Sequence, residues 1–394
     1  MKTTHPPLQR RSRVFLGTLA GLLLTSLFAA RLSAQGFNAG SNGSLGDVVL
    51  AASTNIALPP DGILHFASLR VESGATVTFT RNARNTPVYI LSQGDVVVNG
   101  SINVSGSGRT ANAGGVGGPG GFDGGNPGFG AETPPGDGYG PGGGEGGFRT
   151  CCNESDVAGG GAFATRRSDA NSGQTYGNPF LMPMIGGSGG GGGGGALGGG
   201  GGGGGAVLIA ANSRIAVSGS IVANGGGTGD GFSINAGSGG AIRLVSMVVS
   251  GSGSLQVFAG QNAGAGRIRI DSIDRSQLNL NFNGLPSSIG SNLLVFPPVQ
   301  PTLTLTEVAG TPIPAGTIPG TIFLPFGSTT NRTVKLRARD FGRVVTNRVT
   351  LTPDSGPART FDAVIDNTTT NPAEGSVDVV VPVNTKVTVH AWTL

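Results

Sequence analysis

The sequence has few of the side chains that carry out most enzyme chemistry. It contains two cysteines and three histidines in 394 residues, and lysine occurs only at Lys2, Lys335 and Lys386. Beyond the first 34 residues, the only histidines are His65 and His390, in different predicted domains. This scarcity argues against a Ser-His-Asp triad and against a zinc site, because each needs several such groups close together.

The first 34 residues have the pattern of a secretory signal peptide. Arginines precede an apolar run at residues 14–30, and Ala34 offers a small residue for cleavage before Gln35. A transmembrane anchor is the alternative, since about 17 apolar residues lie at the lower limit for crossing a bilayer. No second such run follows, so we expect a secreted or surface-exposed chain without an integral membrane span.

The basic character of the full chain belongs to this leader. The formal charge is +4, but residues 1–34 hold five of the 25 positive side chains and none of the 21 negative ones. The remaining chain is therefore close to −1. We expect no nucleic-acid partner, because the positive surface that binds phosphate backbones is missing.

The only two cysteines, Cys151 and Cys152, are adjacent. In an oxidising compartment they could form a vicinal disulfide, which closes a small strained ring and fixes one turn. Inert or separately paired thiols are the alternative, and redox or metal chemistry is a third. Two thiols cannot make a four-cysteine zinc site, and we expect no metal or other cofactor.

A repeat appears when the apolar stretches are compared. Residues 87–106, PVYILSQGDVVVNGSINVSG, align without a gap with residues 206–225, AVLIAANSRIAVSGSIVANG. Two further copies begin at Ala241 and Gly266. Each copy contains short strands with apolar residues at every second position, and such strands become stable when copies stack on one another. The pattern predicts a parallel β-helix with Val and Ile directed inward.

Glycine dominates residues 111–204, which we interpret as an insertion into the β-helix domain. Disorder is one interpretation, because glycine buries no side chain and loses the most backbone entropy on ordering. The other is a packed layer of polyproline-II-type strands whose bare backbones approach closely. The runs at 189–195 and 198–205 would each span about 20–25 Å, with a turn at Ala196 and Leu197. We favour packing, because the second run leads directly into the apolar Val207.

Residues 297–394 read as a second domain, after a glycine-rich β-helix domain at 35–296. About seven short strands rich in β-branched residues predict an immunoglobulin-like β-sandwich, with Phe361 and Trp392 in its core. Lys335, Arg337 and Arg339 alternate with apolar residues and would share one strand face. This face could bind an anionic ligand such as a polysaccharide, or its charges could deter strand addition at a sheet edge.

The order of these segments resembles that of exported, glycine-rich bacterial surface proteins that are themselves uncharacterised. GDVVVNGSINVSG leads into a glycine tract, then GGSGGGGGGG, then GGAVLIAANSRIAVSGSIVANGG, GGAIRLV and GAGRIRI; the likeness covers about residues 46–272. More distantly, the chain is similar to adhesin-type parallel β-helices and to the polyglycine sandwiches of phage tail-tip adhesins. The resemblance implies a structural or adhesive role and supplies no catalytic residues.

We therefore expect a non-enzymatic structural or adhesive protein that contacts extracellular polysaccharide or the cell envelope. The alternative is a polysaccharide lyase or hydrolase on the same scaffold, which would need clustered carboxylates in a groove. Asp95, Asp271 and Asp274 are the candidates, although each is expected to cap a turn. The match of Gly186–Gly190 to the G-x-S-x-G hydrolase motif is expected by chance in such glycine-rich sequence.

Overall fold

The computed structural model describes residues 36–129, 133–148, 157–194, 198–227, 235–314 and 320–394. The predicted leader, Cys151, Cys152 and the predicted turn at Ala196 and Leu197 lie outside these ranges. All the contacts considered below lie within one compact unit, Asn38–Leu394. The described residues form strands, turns and irregular segments, which confirms the predicted all-β class. None of these residues belongs to a helix able to cross a membrane.

The first fourteen strands pair in parallel, in one sheet of nine strands and one of five. The strands are β1 (Asp47–Leu50), β2 (Thr54–Ala57), β3 (Ile63–Phe66), β4 (Ser68–Val71), β5 (Thr76–Thr80), β6 (Val88–Ser92), β7 (Val96–Val98), β8 (Ser101–Asn103), β9 (Ala206–Val217), β10 (Ser220–Val222), β11 (Ala241–Ser250), β12 (Ser254–Gln256), β13 (Arg267–Asp274) and β14 (Ser287–Gly290).

The paired strands place side by side the residues that are aligned with each other in the two repeat copies, 87–106 and 206–225. The first half of β9 pairs with β6 and its second half with β7, so that Val88 lies beside Val207 and Val96 beside Ile215. The column from Val88 and Val207 continues into Ile242. These side chains are fully buried in one apolar core, and each buried Val or Ile contributes about 1.5–3 kcal/mol. Stacking thus provides the interior that no single three-residue strand could form.

The two glycine runs lie side by side and bond to each other through backbone alone. They are antiparallel, and an N–H of the first run donates to the second at every third residue. Their residues are almost entirely inaccessible to solvent. The three bonds are Gly187 N to Gly204 O (2.8 Å), Gly190 N to Gly201 O (3.0 Å) and Gly193 N to Gly198 O (2.9 Å).

Successive N–H groups of the second run point to three different neighbouring segments. A strand that turns by a third of a circle per residue directs its N–H groups in this way. The next three residues repeat the same order of neighbours. The bonds are Gly200 N to Gly125 O (2.9 Å), Gly201 N to Asn235 O (2.9 Å), Gly202 N to Ser107 O (3.0 Å), Gly203 N to Phe122 O (2.8 Å), Gly204 N to Ser238 O (2.8 Å) and Gly205 N to Val104 O (2.8 Å).

These neighbours approach too closely for any side chain. A Cβ on Gly203 would lie 2.0 Å from the carbonyl oxygen of Gly187, and one on Gly200 would lie 2.0 Å from that of Gly190. Both obstacles are backbone atoms, which cannot move aside as a flexible side chain could. For the described residues, the glycine-rich segment is therefore ordered and packed, and the interpretation as a disordered linker does not apply to them.

A buried ionic triad lies on strands β11 and β13. Arg243 and Arg269 are register partners, and both bond the carboxylate of Asp271, at 3.1 Å from Arg243 Nη2 and 2.9 Å from Arg269 Nε. All three residues are buried. Two guanidinium groups share one carboxylate, so Asp271 neutralises positive charge that would otherwise be isolated from water.

Residues 291–296, which we call the strap, cover this triad. Arg243 Nη2 donates to the carbonyl oxygen of Leu294 at 2.8 Å, and the N–H of Asn292 donates to Asp271 Oδ1 at 3.1 Å. The segment that leads to the C-terminal strands is thereby fixed to the parallel sheet by charge-assisted bonds.

The three acids proposed from the sequence do not gather. Asp274 caps a turn as expected, since its Oδ1 accepts the N–H of Ser276 at 2.9 Å. Asp95 instead forms a surface ion pair with Arg214, at 2.8 Å, on the strand stacked beside it. For Asp271 the expected turn cap is wrong: its carboxylate accepts hydrogen bonds from two buried guanidinium groups, because it is buried on β13, between β11 and β14, without access to solvent.

The C-terminal strands form two antiparallel sheets of four strands that share a second apolar core. All seven predicted strand segments are confirmed, and β16 is added. Phe361 packs against the core, whereas Trp392 lies partly exposed outside it. The strands are β15 (Thr302–Val308), β16 (Thr311–Pro312), β17 (Gly320–Phe323), β18 (Asn331–Arg339), β19 (Val344–Pro353), β20 (Arg359–Asp366), β21 (Ala373–Val380) and β22 (Lys386–Thr393).

A single methyl group in the glycine layer should destabilise the protein. In Gly203→Ala the new Cβ meets backbone, and overpacking of this kind costs about 1–3 kcal/mol or more. The control is Gly227→Ala, where nothing lies within 4 Å of the added Cβ, so stability should be unchanged or slightly higher. Urea unfolding followed by circular dichroism compares them; equal midpoints would contradict close backbone packing.

Removing the shared carboxylate should be far more damaging than removing a surface one. Asp271→Asn leaves two buried guanidinium groups without an anion, and breaking a buried ion pair costs about 3–5 kcal/mol. Asp95→Asn breaks an Asp–Arg pair of similar geometry on the surface, where the midpoint should change little. The same urea titration measures both, and a similar loss in the two variants would show that burial does not govern the triad.

Candidate binding cleft

A cleft of about 410 Å³ lies where the glycine-rich segment meets the C-terminal sheets. It combines side chains from the turn after β5, from the glycine-rich segment and from strands β17 and β22. The residues that line it are Arg81, Asn82, Ala83, Asn85, Gly114, Gly121, Phe122, Asp123, Gly124, Asn126, Tyr139, Thr321, Asp354, Lys386, Thr388 and His390.

Direct contacts fix the two sides of the cleft relative to each other. Ser355 Oγ donates to the carbonyl oxygen of Pro134 at 2.9 Å. Asp137 accepts the N–H of Ala358 at 2.9 Å with one oxygen and that of Gly146 at 2.7 Å with the other. Burial raises the pKa of Asp137, and these two backbone donors oppose that rise. These hydrogen bonds therefore hold the glycine-rich segment against the turn between β19 and β20.

One wall carries an ion pair. Arg81 Nη1 lies 2.7 Å from Asp123 Oδ1, and Asp123 also accepts the N–H of Gly117 at 2.7 Å. The chain at Asp123 is held by the glycine run behind it, since a Cβ on Gly189 would lie 1.9 Å from the Asp123 carbonyl oxygen. The Asp123 side chain is 43% exposed, so its carboxylate keeps free lone pairs toward the cleft.

The opposite wall carries a second carboxylate. The Tyr139 hydroxyl donates to Asp354 Oδ1 at 3.1 Å. Burial, followed by the negative charge of Asp354, raises the pKa of Tyr139. The phenol therefore stays protonated at neutral pH, which suits a hydrogen-bond donor and not a general base. Lys386 begins the neighbouring strand β22 and is exposed.

His390 lies between the walls among aromatic rings. Its centroid is 5.6 Å from that of Phe122 and 6.3 Å from those of Tyr139 and Trp392. Burial lowers the pKa of His390 to about 4, against a smaller opposing effect of Asp123. Its Nδ1 is buried and has no hydrogen-bond partner among the described residues. The imidazole is therefore neutral at neutral pH and acts mainly as a flat packing surface.

The lining combines charged, polar and aromatic groups. It includes two carboxylates, two cations and three aromatic rings, and each carboxylate already accepts a hydrogen bond from Arg81 or Tyr139. Within the described ranges, no group of three or more His, Asp, Glu or Cys side chains could hold a metal ion. Ser188 of the G-x-S-x-G match is fully buried, where its hydroxyl donates to Tyr176.

The predicted cationic face lies elsewhere, on β18. Lys335, Arg337 and Arg339 are all exposed on one side of that strand. Lys335 Nζ lies 2.8 Å from Glu307, and Arg337 Nη2 lies 2.7 Å from Glu374, both on adjacent strands. Two of the three cations thus already have carboxylate partners. Cys151 and Cys152 lie outside the described residues.

The cleft was not predicted from the sequence. Phe122 and Tyr139 stand out as aromatic residues that interrupt glycine, which was the one available signal. Their partners Asp354 and His390 follow more than 200 positions later, in segments that read only as sandwich strands. No family model, curated protein or solved structure matches the chain.

Acidification should lower the free energy of unfolding, because His390 becomes protonated in the cleft between the glycine-rich segment and the C-terminal sheets. Because its pKa is about 4 in the folded protein and 6.5 for an unperturbed histidine, the unfolded chain binds more protons between these values. Stability should therefore be lost as pH falls from 6.5 to 4, by on the order of 2 kcal/mol. His390→Phe keeps an aromatic ring and should remove this part of the loss.

The measurement is urea unfolding followed by the fluorescence of Trp392, the only tryptophan, at pH 7 and pH 5. The matched control is His65→Phe, which makes the same change on β3. If His390→Phe loses as much stability on acidification as the unaltered protein, the buried imidazole is not responsible.

Proposed function

We propose that the fold is a parallel β-helix carrying a layer of polyproline-II-type glycine strands, followed by an immunoglobulin-like sandwich. The stacked register of Val88 on Val207 and Ile242 supports the β-helix. A hydrogen-bond period of three, with N–H groups pointing in three directions, supports the polyproline-II geometry. Two separate apolar cores support a division into domains near residue 297, with 111–204 as an insertion into the first.

We further propose that the protein is a non-enzymatic structural or adhesive protein, secreted or held at the cell surface. The observation that carries this proposal is the interior of the glycine layer, which in its described residues is built from backbone packed on backbone. A layer of closely packed backbone adds rigid mass to a protein without adding reactive groups. The predicted leader and the resemblance to exported glycine-rich bacterial surface proteins agree with this role.

A carbohydrate-active enzyme is the less supported alternative. Such an enzyme needs clustered acids, whereas the cleft is lined by two, Asp123 and Asp354, and each has a partner. Glycoside hydrolysis needs one carboxyl group with a raised pKa as acid and a second free to act as base or nucleophile. In the cleft, Asp123 is paired with Arg81 and Asp354 accepts the Tyr139 hydroxyl, so neither is an unpaired carboxylate.

Retention of polysaccharide without turnover is the expected behaviour. The purified protein would be tested on an array of bacterial and plant polysaccharides, with a reducing-sugar assay on the same samples. We expect at least one polysaccharide to be retained and no new reducing ends to appear, because the cleft offers contacts but no paired acid and base. Turnover without retention would overturn the adhesive proposal, and so would the absence of any retained polysaccharide.

A further inference from the structure

We propose that the cleft between the glycine layer and the C-terminal sheets binds an uncharged, hydroxyl-rich glycan chain. This inference rests on the proposed adhesive function and assigns that function to one site. The proposed ligand is neutral, unlike the anionic polysaccharide that the sequence suggested for the cationic face of β18. A volume of about 410 Å³ lies within the range of small-molecule sites, about 300–1,000 Å³.

The charge of the lining favours a neutral ligand. Arg81 and Lys386 are balanced by Asp123 and Asp354, and Arg81 is already committed to Asp123. An anionic polysaccharide would bring its carboxylates beside two protein carboxylates. A cationic one would meet Arg81 and Lys386. An uncharged ligand avoids both repulsions and requires no counter-ion.

The hydrogen-bonding groups match hydroxyls. A hydroxyl both donates and accepts, so it can serve carboxylate and ammonium groups in the same site. Asp123 and Asp354 keep acceptor capacity beyond the bonds they make to Arg81 and Tyr139. Lys386 is exposed, so its ammonium group can donate to a bound hydroxyl.

Aromatic surfaces complete the match. Phe122, Tyr139 and His390 meet edge to face and remain partly exposed where they line the cleft. A pyranose ring has an apolar C–H face and a rim of hydroxyls, so it can pack on such rings while its rim reaches polar groups. The neutral state of His390 keeps this surface uncharged.

The walls are also fixed before a ligand arrives. One wall is backed by the glycine run and the other by β22, and Asp137 and Ser355 join them through bonds of 2.9 Å. Pre-organised walls reduce the entropy lost on binding.

The test blocks the cleft without touching its bonded residues. Thr321 lies exposed on β17 at the rim, and Thr321→Trp should fill the opening. Affinity for uncharged glucans, galactans and mannans should fall about tenfold or more. The control is Thr346→Trp, the same change at an exposed position of β19 outside the cleft, which should bind normally.

The salt dependence of binding distinguishes an uncharged glycan from a charged one. Binding of an uncharged glycan should hardly change between about 20 mM and about 500 mM NaCl, whereas binding of a polyuronate would weaken, because salt screens exposed charges. Retention of polyuronates alone, lost at high salt, would overturn the proposed ligand class and leave the adhesive function standing.

The remaining outcomes separate the two proposals. Equal glycan binding by Thr321→Trp and the unaltered protein would place the site elsewhere and overturn this inference only. No retention of any polysaccharide would overturn the adhesive function together with it. If circular dichroism shows that Thr321→Trp is misfolded, Asp354→Asn decides. It keeps an oxygen for Tyr139 and should bind glycans about fivefold more weakly; unchanged affinity would contradict the proposal.

Discussion

The structure depends on hydrogen bonds between glycine backbones that have no side chains between them. Fixing each residue costs about 1–2 kcal/mol of conformational entropy, and glycine has the most to lose. The compensation is that each N–H from Gly199 to Gly205 donates to a carbonyl oxygen, in three directions in turn. Neighbouring chains then lie close enough for dispersion and weak Cα–H contacts to add to these bonds. One methyl group would meet backbone oxygen, so the composition is a steric requirement.

This layer determines where the reactive groups of the protein can be. At its margin, Phe122, Asp123 and Tyr139 interrupt the glycine and line the cleft beside the C-terminal strands. A rigid backing holds them against Asp354 and His390 without help from long side chains.

Parts of this structure follow from the sequence, for identifiable reasons. The strands around Val88 and Val207 could be predicted because stacked copies keep the same apolar period. The C-terminal strands could be predicted from their alternation. The neighbours of each glycine strand could not, because identical residues carry no information about their partners. The triad of Arg243, Arg269 and Asp271 was missed because charges on a strand read as exposed until the strap is known to cover them.

Ser188 directly precedes the first run, and its side chain is both buried and specifically bonded. Its hydroxyl donates to Tyr176 at 2.9 Å and accepts the N–H of Gly142 at 3.0 Å. A shift of one glycine strand along another by three residues would restore every backbone bond, since each position is chemically the same. Ser188 at one end and the entry into β9 at the other exclude such sliding. Insertions of a whole turn could therefore be accommodated in this layer during evolution, whereas single-residue insertions would rotate every donor away from its acceptor.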